Sequence, residues 1–312
     1  MIRLFKNINN TSVEIEKAGD AVWVNLTPPF KDEEFHDLSE SLDIPIEFLR
    51  DSLDIDERPR YEIEDDVRFV VIKTPAENNS FNDSDAFYIT IPICIILTRS
   101  QIITVNSFDN DAIKKFLNTF QKRNPAKRNI MVLKIFEKVA NNFMDFLKEI
   151  NNRRNTYEQK LYDSNRNEEL LNLMRIQKSL LYFVTALRSN ELLMIKLERT
   201  NFLQLDDEER EMLSDLIVET SQALEMANIY NNILSSTLDA FASIISNNLN
   251  NVMKRLTSIT IILSLPLLVT SIYGMNVTIP FANTEHAFYI PLILSVTASL
   301  IISGYFMKKK WF

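Results

Sequence analysis

The residues in this chain best suited to act on a small ligand are neutral oxygen donors, set at helical spacing within an apolar segment. Leu256 to Met275 is a run of 20 residues without a charge, and in it Thr257, Thr260, Ser264 and Ser271 are separated by three, four and seven positions. Those steps place four hydroxyls on one face of an α-helix. Carried backward, the same steps reach Met253 and Asn250, and carried forward they reach Gly274. Hydroxyl and amide oxygens are hard, neutral ligands, suited to a cation or to the waters around it, which donate to them. Such a stripe is either a seam where membrane helices pack or the lining of a water-filled path. The two readings converge if identical helices surround a common axis. Met253, Leu256 and Leu267 lie along the same face and are candidates for dry constrictions that gate by dewetting. The run holds no carboxylate, which argues against proton-coupled exchange and fits passive conduction.

Enzymatic chemistry has little to work with. The chain has two histidines, His36 and His286, no Gly-rich phosphate loop and no metal-ligand cluster of hydrolase spacing, so it is not expected to be an enzyme. Its single cysteine, Cys94, sits in the apolar string Ile91-Pro92-Ile93-Cys94-Ile95-Ile96-Leu97 and reads as a buried thiol. No disulfide can form within one chain.

The elements that must position the stripe follow from patterning. Leu256–Met275 and Ala287–Met307, 20 and 21 residues, each match the roughly 20 residues that cross a bilayer. Residues 1–253 contain nothing comparable, and the N-terminus lacks the features of a secretory signal. Lys254-Arg255 precede the first span and Lys308-Lys309-Lys310 follow the second, whereas the loop between them has no Lys or Arg. The positive-inside rule then puts both termini in the cytoplasm of a multi-pass protein of the plasma (inner cell) membrane. Against a net charge of −8 for the whole chain, residues 254–312 are basic, leaving an acidic front portion that favours cations over nucleic acid as partners.

The organisation expected is an α/β cytosolic domain over 1–109, a long-helix region and stalk over 110–253, a first transmembrane helix over 254–276, an external loop over 277–286, a second transmembrane helix over 287–307 and a basic cytosolic tail over 308–312. Strands are expected at Ala21–Leu26, Val67–Ile72 and Phe87–Val105, the last split by a turn at Thr98-Arg99-Ser100-Gln101. Helices are expected at Lys31–Leu42 and Ile46–Leu53. Past Asp111 only Pro125 interrupts the helical spacing before the first span, and Asp206 or Asp207 can cap a helix that runs unbroken into it. From Asp207 to Met275 that helix would be on the order of 100 Å long. One such span cannot enclose a hole, so a pore requires a cyclic oligomer.

Tyr273-Gly274-Met275-Asn276 closes the first span, and an isolated Gly-x-Asn is most simply a helix stop. Here the Gly-Met-Asn triplet ends the penultimate span of an acidic chain that finishes Lys308-Lys309-Lys310-Trp311-Phe312. In this it resembles the CorA family of magnesium transporters. Glu57-Arg58-Pro59-Arg60-Tyr61-Glu62 and Asn250-Asn251-Val252-Met253-Lys254 are similar strings. The resemblance implies a CorA-like, funnel-shaped homopentamer in the lipid bilayer. Its outer filter would be Tyr273, Gly274, Met275 and Asn276, with Gly274 backbone and Asn276 side-chain oxygens meeting hydrated Mg²⁺ and Tyr273 bracing the ring. It also implies feedback by cytosolic Mg²⁺ bound between subunits, the matching carboxylates being Asp66, within Glu64-Asp65-Asp66, and Asp215. Mg²⁺ would be both substrate and regulatory ligand, and no other cofactor is expected.

Two features depart from the family pattern. The loop Val277–His286 lacks the acidic Met-Pro-Glu-type sequence, leaving Glu285 as the candidate for attracting cations. Leu267 stands at a pore-facing step where a polar residue is expected. The same architecture carrying Co²⁺, Ni²⁺ or Zn²⁺ is the nearest alternative, and a two-span anchored sensor or scaffold is the next. Met275 in the middle of the triplet leans toward magnesium.

Overall fold

Runs of β-branched and aromatic residues in the first hundred positions pair into one seven-stranded sheet. Its strands are β1 (Ile2–Ile8), β2 (Thr11–Ile15), β3 (Trp23–Leu26), β4 (Arg60–Glu64), β5 (Val67–Glu77), β6 (Tyr88–Leu97) and β7 (Ile102–Asn106), in the order β2-β1-β3-β7-β6-β5-β4. The β3–β7 pair is parallel and every other pair antiparallel. The computed structural model describes residues 2–8, 11–15, 21–27, 32–78, 86–106, 111–120, 127–164, 167–276, 286–309 and 311. These form two compact units, Met1–Ser236 and Thr237–Phe312.

In the first unit both faces of the sheet are covered, which explains why β6 reads as continuous apolar sequence rather than alternating. Against one face lie α1 (Asp32–Leu42) and α2 (Ile46–Asp51), packing Leu38, Leu42, Phe48 and Leu49 on Val24, Phe69, Val71, Cys94 and Ile103. Burial pushes the Cys94 thiol up to about 12, so it is an inert core residue. The other helices of this unit are α3 (Asp111–Phe120), α4 (Arg128–Ser164), α5 (Asn167–Thr200) and the start of α6 (Asp207–Tyr273). Trp23 is fully buried, stacks on Phe5 at 4.9 Å and meets the edge of Phe116.

Three buried polar side chains on the long helices stitch them to the sheet. β4 ends at Arg60 opposite Val71, so Lys73 lies beyond that ladder. There Asn190 of α5 accepts the Lys73 N–H at 3.0 Å and donates to the Lys73 carbonyl at 2.7 Å, taking the place of a strand. Ser179 accepts the Tyr88 N–H at 3.1 Å, and Asn142 of α4 donates to Thr74 and to the Pro75 carbonyl. Pro92 is tolerated within β6 because the β6–β7 ladder stops at Ile93.

The structure refines several expectations. The composition change near residue 109 marks a passage from strands to helices within one unit, and the division between units falls at Ser236. β1, β2 and β4 join the expected strands, α1 is described from Asp32 and α2 stops at Asp51. Thr98–Gln101 forms the expected turn, with the Thr98 N–H bonded to the Gln101 carbonyl at 3.0 Å.

The second unit contains the rest of α6 and α7 (Tyr289–Lys308). Both helices are long and apolar enough to cross a membrane, and only 11% of each apolar window is buried, unlike a core helix of a soluble protein.

Candidate functional site

α6 is one helix of 67 residues, about 100 Å at 1.5 Å per residue, with a single defined start. Asp206 caps it: its carboxylate accepts the Glu209 N–H at 3.0 Å, and Glu209 accepts the Asp206 N–H at 3.1 Å. This reciprocal box satisfies two donors that every helix start leaves open. Lys127 pairs with Asp206, and Asn129 donates to Glu209 at 3.0 Å, so the head of α4 holds the head of α6. The Lys127 ammonium and the Glu209 N–H hold the Asp206 carboxyl below its usual range.

In the second unit α6 presents three distinct faces. Ser258 and Val269 are buried, and the Ile262 carbonyl accepts the Ser299 hydroxyl of α7 at 3.4 Å, which marks the α7 side. Ser295 and Phe306 are the buried residues of α7, and small hydroxyl residues at such a contact let helices approach. Asn250, Met253, Leu256, Thr257, Thr260, Ser264, Leu267 and Ser271 are all exposed, and at about 100° per residue their mean direction lies about 160° from the α7 side. The stripe thus faces away from α7, the other helix among the described residues of its unit. Thr260 and Ser264 spend their protons on the Leu256 and Ile261 carbonyls, at 2.9 Å each, leaving oxygen lone pairs toward the open face. Flanking the stripe is an apolar seam of Ile245, Leu249, Val252 and Leu256, between 47% and 61% exposed, at the spacing of a coiled-coil seam.

Pro266 lacks the N–H that would bond the Ile262 carbonyl. That same carbonyl takes the Ser299 hydroxyl, so α7 serves the group the proline leaves open. Nothing in the spacing of α7 alone singles out Ser299, which is one of several hydroxyls in an apolar run. The pairing becomes visible only when the two helices are placed together.

α6 ends at Tyr273. Gly274 donates to the Thr270 carbonyl at 2.9 Å and does not take a positive φ, so it is not the left-handed helix stop that Gly-x-Asn suggests. A Cβ at Gly274 would meet the Thr270 carbonyl at 3.4 Å, an ordinary contact. Neither backbone conformation nor crowding within one chain therefore demands a glycine here. Met275 and Asn276 are exposed just beyond the helix. Glu285 lies outside the described residues, and His286 begins the turn that leads into α7, which starts at Tyr289 rather than at Ala287.

The regulatory candidates belong to the first unit. Asp65 and Asp66 form the two-residue turn between β4 and β5, with φ of 47° and 67°, a conformation that aspartate tolerates and hairpins favour. Asp66 accepts from Arg99 at 2.6 Å, both side chains largely exposed. Asp215 is exposed on α6. Among the described residues no three His, Cys, Asp or Glu side chains converge within one chain to hold a metal.

Comparisons with known proteins fit this architecture. The cobalt/magnesium transport protein CorA of Methanocaldococcus jannaschii is 27% identical over 296 residues, covering 93% of this chain and 91% of its own. The protein of the same name from Thermotoga maritima is 20% identical over 318 residues, with coverages of 99% and 90%. The complete structure of the CorA magnesium transporter from Methanocaldococcus jannaschii matches with a TM-score of 0.86 at 25% identity, covering 100% of this chain and 99% of that one. The likeness therefore takes in the sheet, the long helices and both apolar helices. Residues 18–309 match the family described as CorA-like Mg2+ transporter protein, a family of transporters rather than enzymes, and the chain belongs to it.

Proposed function

We propose that this chain forms a homopentameric, channel-like pathway for Mg²⁺ uptake across the plasma membrane, with five α6 helices around the axis. The observation that carries the reading is the disposition of α6, whose polar stripe points away from α7 beside an apolar seam that the described residues of its own chain leave exposed. A ring of identical helices covers the seam and turns the stripe inward. Gly274-Met275-Asn276 then stands at the outer mouth, where amide and carbonyl oxygens hold Mg²⁺ through its water shell. Mg²⁺ is small and gives up water reluctantly, so neutral dipoles bind it without arresting it. The absence of any need for Gly274 within one chain supports a need for it between chains, where five backbones converge. Met253, Leu256 and Leu267 act as the dry constrictions. The membrane potential supplies the drive, roughly 2.3 kcal/mol per unit charge per 100 mV.

Feedback is assigned to Asp66 and Asp215 facing neighbouring subunits. Carboxylates brought together across an interface repel unless a cation bridges them, so internal Mg²⁺ favours the closed ring. Arg99 is the intrachain competitor for Asp66. Co²⁺ is the second substrate, because the relatives from both organisms are cobalt/magnesium transport proteins.

The test is flux into proteoliposomes with Mg²⁺, Co²⁺ and Zn²⁺ compared. Asn276→Ala is expected to cut Mg²⁺ flux at least tenfold while the protein still folds and inserts. Undiminished flux in that variant would remove Asn276 from the filter.

A further inference from the structure

In the first unit α5 carries apolar side chains on two opposite faces. One face is buried through Leu173, Ile176, Leu180 and Phe183. The other holds Leu171, Met174, Leu181, Tyr182 and Leu192, each between 46% and 60% exposed, and at about 100° per residue it points about 160° away from the first. The part of α6 in the same unit repeats the arrangement: Leu213, Leu216, Ala223 and Ala227 are buried, while Val218, Ile229 and Ile233 are exposed on the far side. A helix that is apolar on both sides has to be covered twice, and the described residues of one chain cover each of these once. Charge identifies the second cover. Within about 60° of its exposed apolar direction α5 has Lys178, Arg188, Lys196 and Arg199 and no carboxylate. Over an arc of about the same width, α6 in this unit has Asp207, Glu208, Glu211, Asp215 and Glu225 and no Lys or Arg. We propose that the outer face of α5 docks on the outer face of α6 in a second copy of this chain, a head-to-tail contact that closes the cytosolic units into a ring. The inference rests on the ring proposed above, to which it adds a contact outside the membrane.

Register supports the match. Within one chain Gln177 donates to the Ser235 hydroxyl at 2.9 Å and the Thr220 hydroxyl donates to the Met194 sulfur at 3.7 Å. The two helices therefore run antiparallel, with 177 level with 235 and 194 level with 220. Rotation about a ring axis that runs along α6 keeps every level, so the same correspondence holds between α5 of one copy and α6 of the next. It puts Leu181 and Tyr182 beside Ile229 and Ile233, Arg188 beside Glu225, and Lys196 and Arg199 beside Asp215. Apolar side chains thus meet apolar ones at one end of the contact, and cations meet carboxylates at the other. The carboxylates on α6 outnumber the cations opposite, which leaves acidic surplus for the Mg²⁺ assigned to Asp215.

Disulfide trapping tests the contact, because the one native cysteine, Cys94, is buried. Leu181→Cys and Ile233→Cys are placed together in the full-length chain, which is purified in detergent and mildly oxidised. The expected result on a non-reducing gel is a ladder of covalent species up to the whole ring. Chains with one of the two cysteines should stay single when oxidised alone and stop at covalent dimers when the two kinds are assembled together, since the contact joins unlike faces. Arg188→Glu should lower the cross-linked yield at least fivefold, and Glu225→Arg in the same chain should restore it. Single chains on the gel while native mass spectrometry still finds the ring overturn the contact, and so does an undiminished yield in Arg188→Glu. A monomer in native mass spectrometry of the unaltered protein defeats the ring itself, which is a different outcome from a ring whose α5 and α6 faces do not cross-link.

Discussion

Asp206 holds together the start of the helix that carries the candidate pore, and its ionisation can be followed. Lys127 and the Glu209 N–H favour the charged form, so the folded carboxyl titrates below the ordinary aspartate value of about 3.9. A depressed folded pKa contributes stability that is fully present above the unfolded value and is lost as pH falls through the folded one. Asp206→Asn should therefore lower the melting temperature at neutral pH, and the gap from the unaltered protein should narrow on acidification past the aspartate range. Circular dichroism melts across pH measure this, and a gap independent of pH would assign the effect to the cap hydrogen bond alone. Other residue-scale features were legible to different degrees. Asp206 was visible as a cap because Glu208 and Glu209 follow it. The partnership with Lys127 was not, since 79 positions separate the two.

At the scale of elements, α6 was readable end to end because helical spacing runs through it and glycine is absent, leaving Pro266 as its one interruption. β5 and β6 were readable for the opposite reason, as β-branched runs buried on both faces. β1 was harder to see, because Leu4 and Phe5 in succession break the alternation that Ile2-Arg3-Leu4 begins. Least legible were the polar stitches between helix and sheet. One of the three asparagines of α5 looks like a surface residue until Lys73 is placed against it. Asn190 is 1% exposed and meets both polar groups of the Lys73 backbone. Asn190→Ala should leave both buried without a partner and cost about 1–3 kcal/mol of stability. A thermal or denaturant melt of the purified protein checks this, and an unchanged midpoint would mean that water replaces the amide.

For the whole molecule, the deciding quantity is the apolar surface that one chain leaves uncovered. From Ala242 to Thr257 every residue of α6 is exposed, Ile245, Leu249 and Val252 among them. A bare helix of that composition calls for copies of itself. Native mass spectrometry in detergent should find a pentamer of the 36.3 kDa chain, and Leu249→Asp should shift the population toward smaller species. A monomer in the unaltered protein would end the ring interpretation of the stripe. The stripe itself was readable from sequence as a set of positions. Which way it faces was not, because that depends on where α7 packs.

The Ser299 hydroxyl has a mechanical role as well as a chemical one. A helix with every rung in place resists bending evenly along its length, but α6 has one rung missing at Pro266, and the vacancy is served from another helix through a long contact of 3.4 Å. In the proposed ring the compliance of α6 is thereby concentrated at one level, from Ile262 to Pro266, above the Thr260 hydroxyl and below the outer mouth. How stiff that level is depends on α7 keeping its register. If α6 lines the proposed pore, α7 can in this way set how readily its neighbour flexes, so that a substitution on α7 is expected to alter flux without touching the path of the ion.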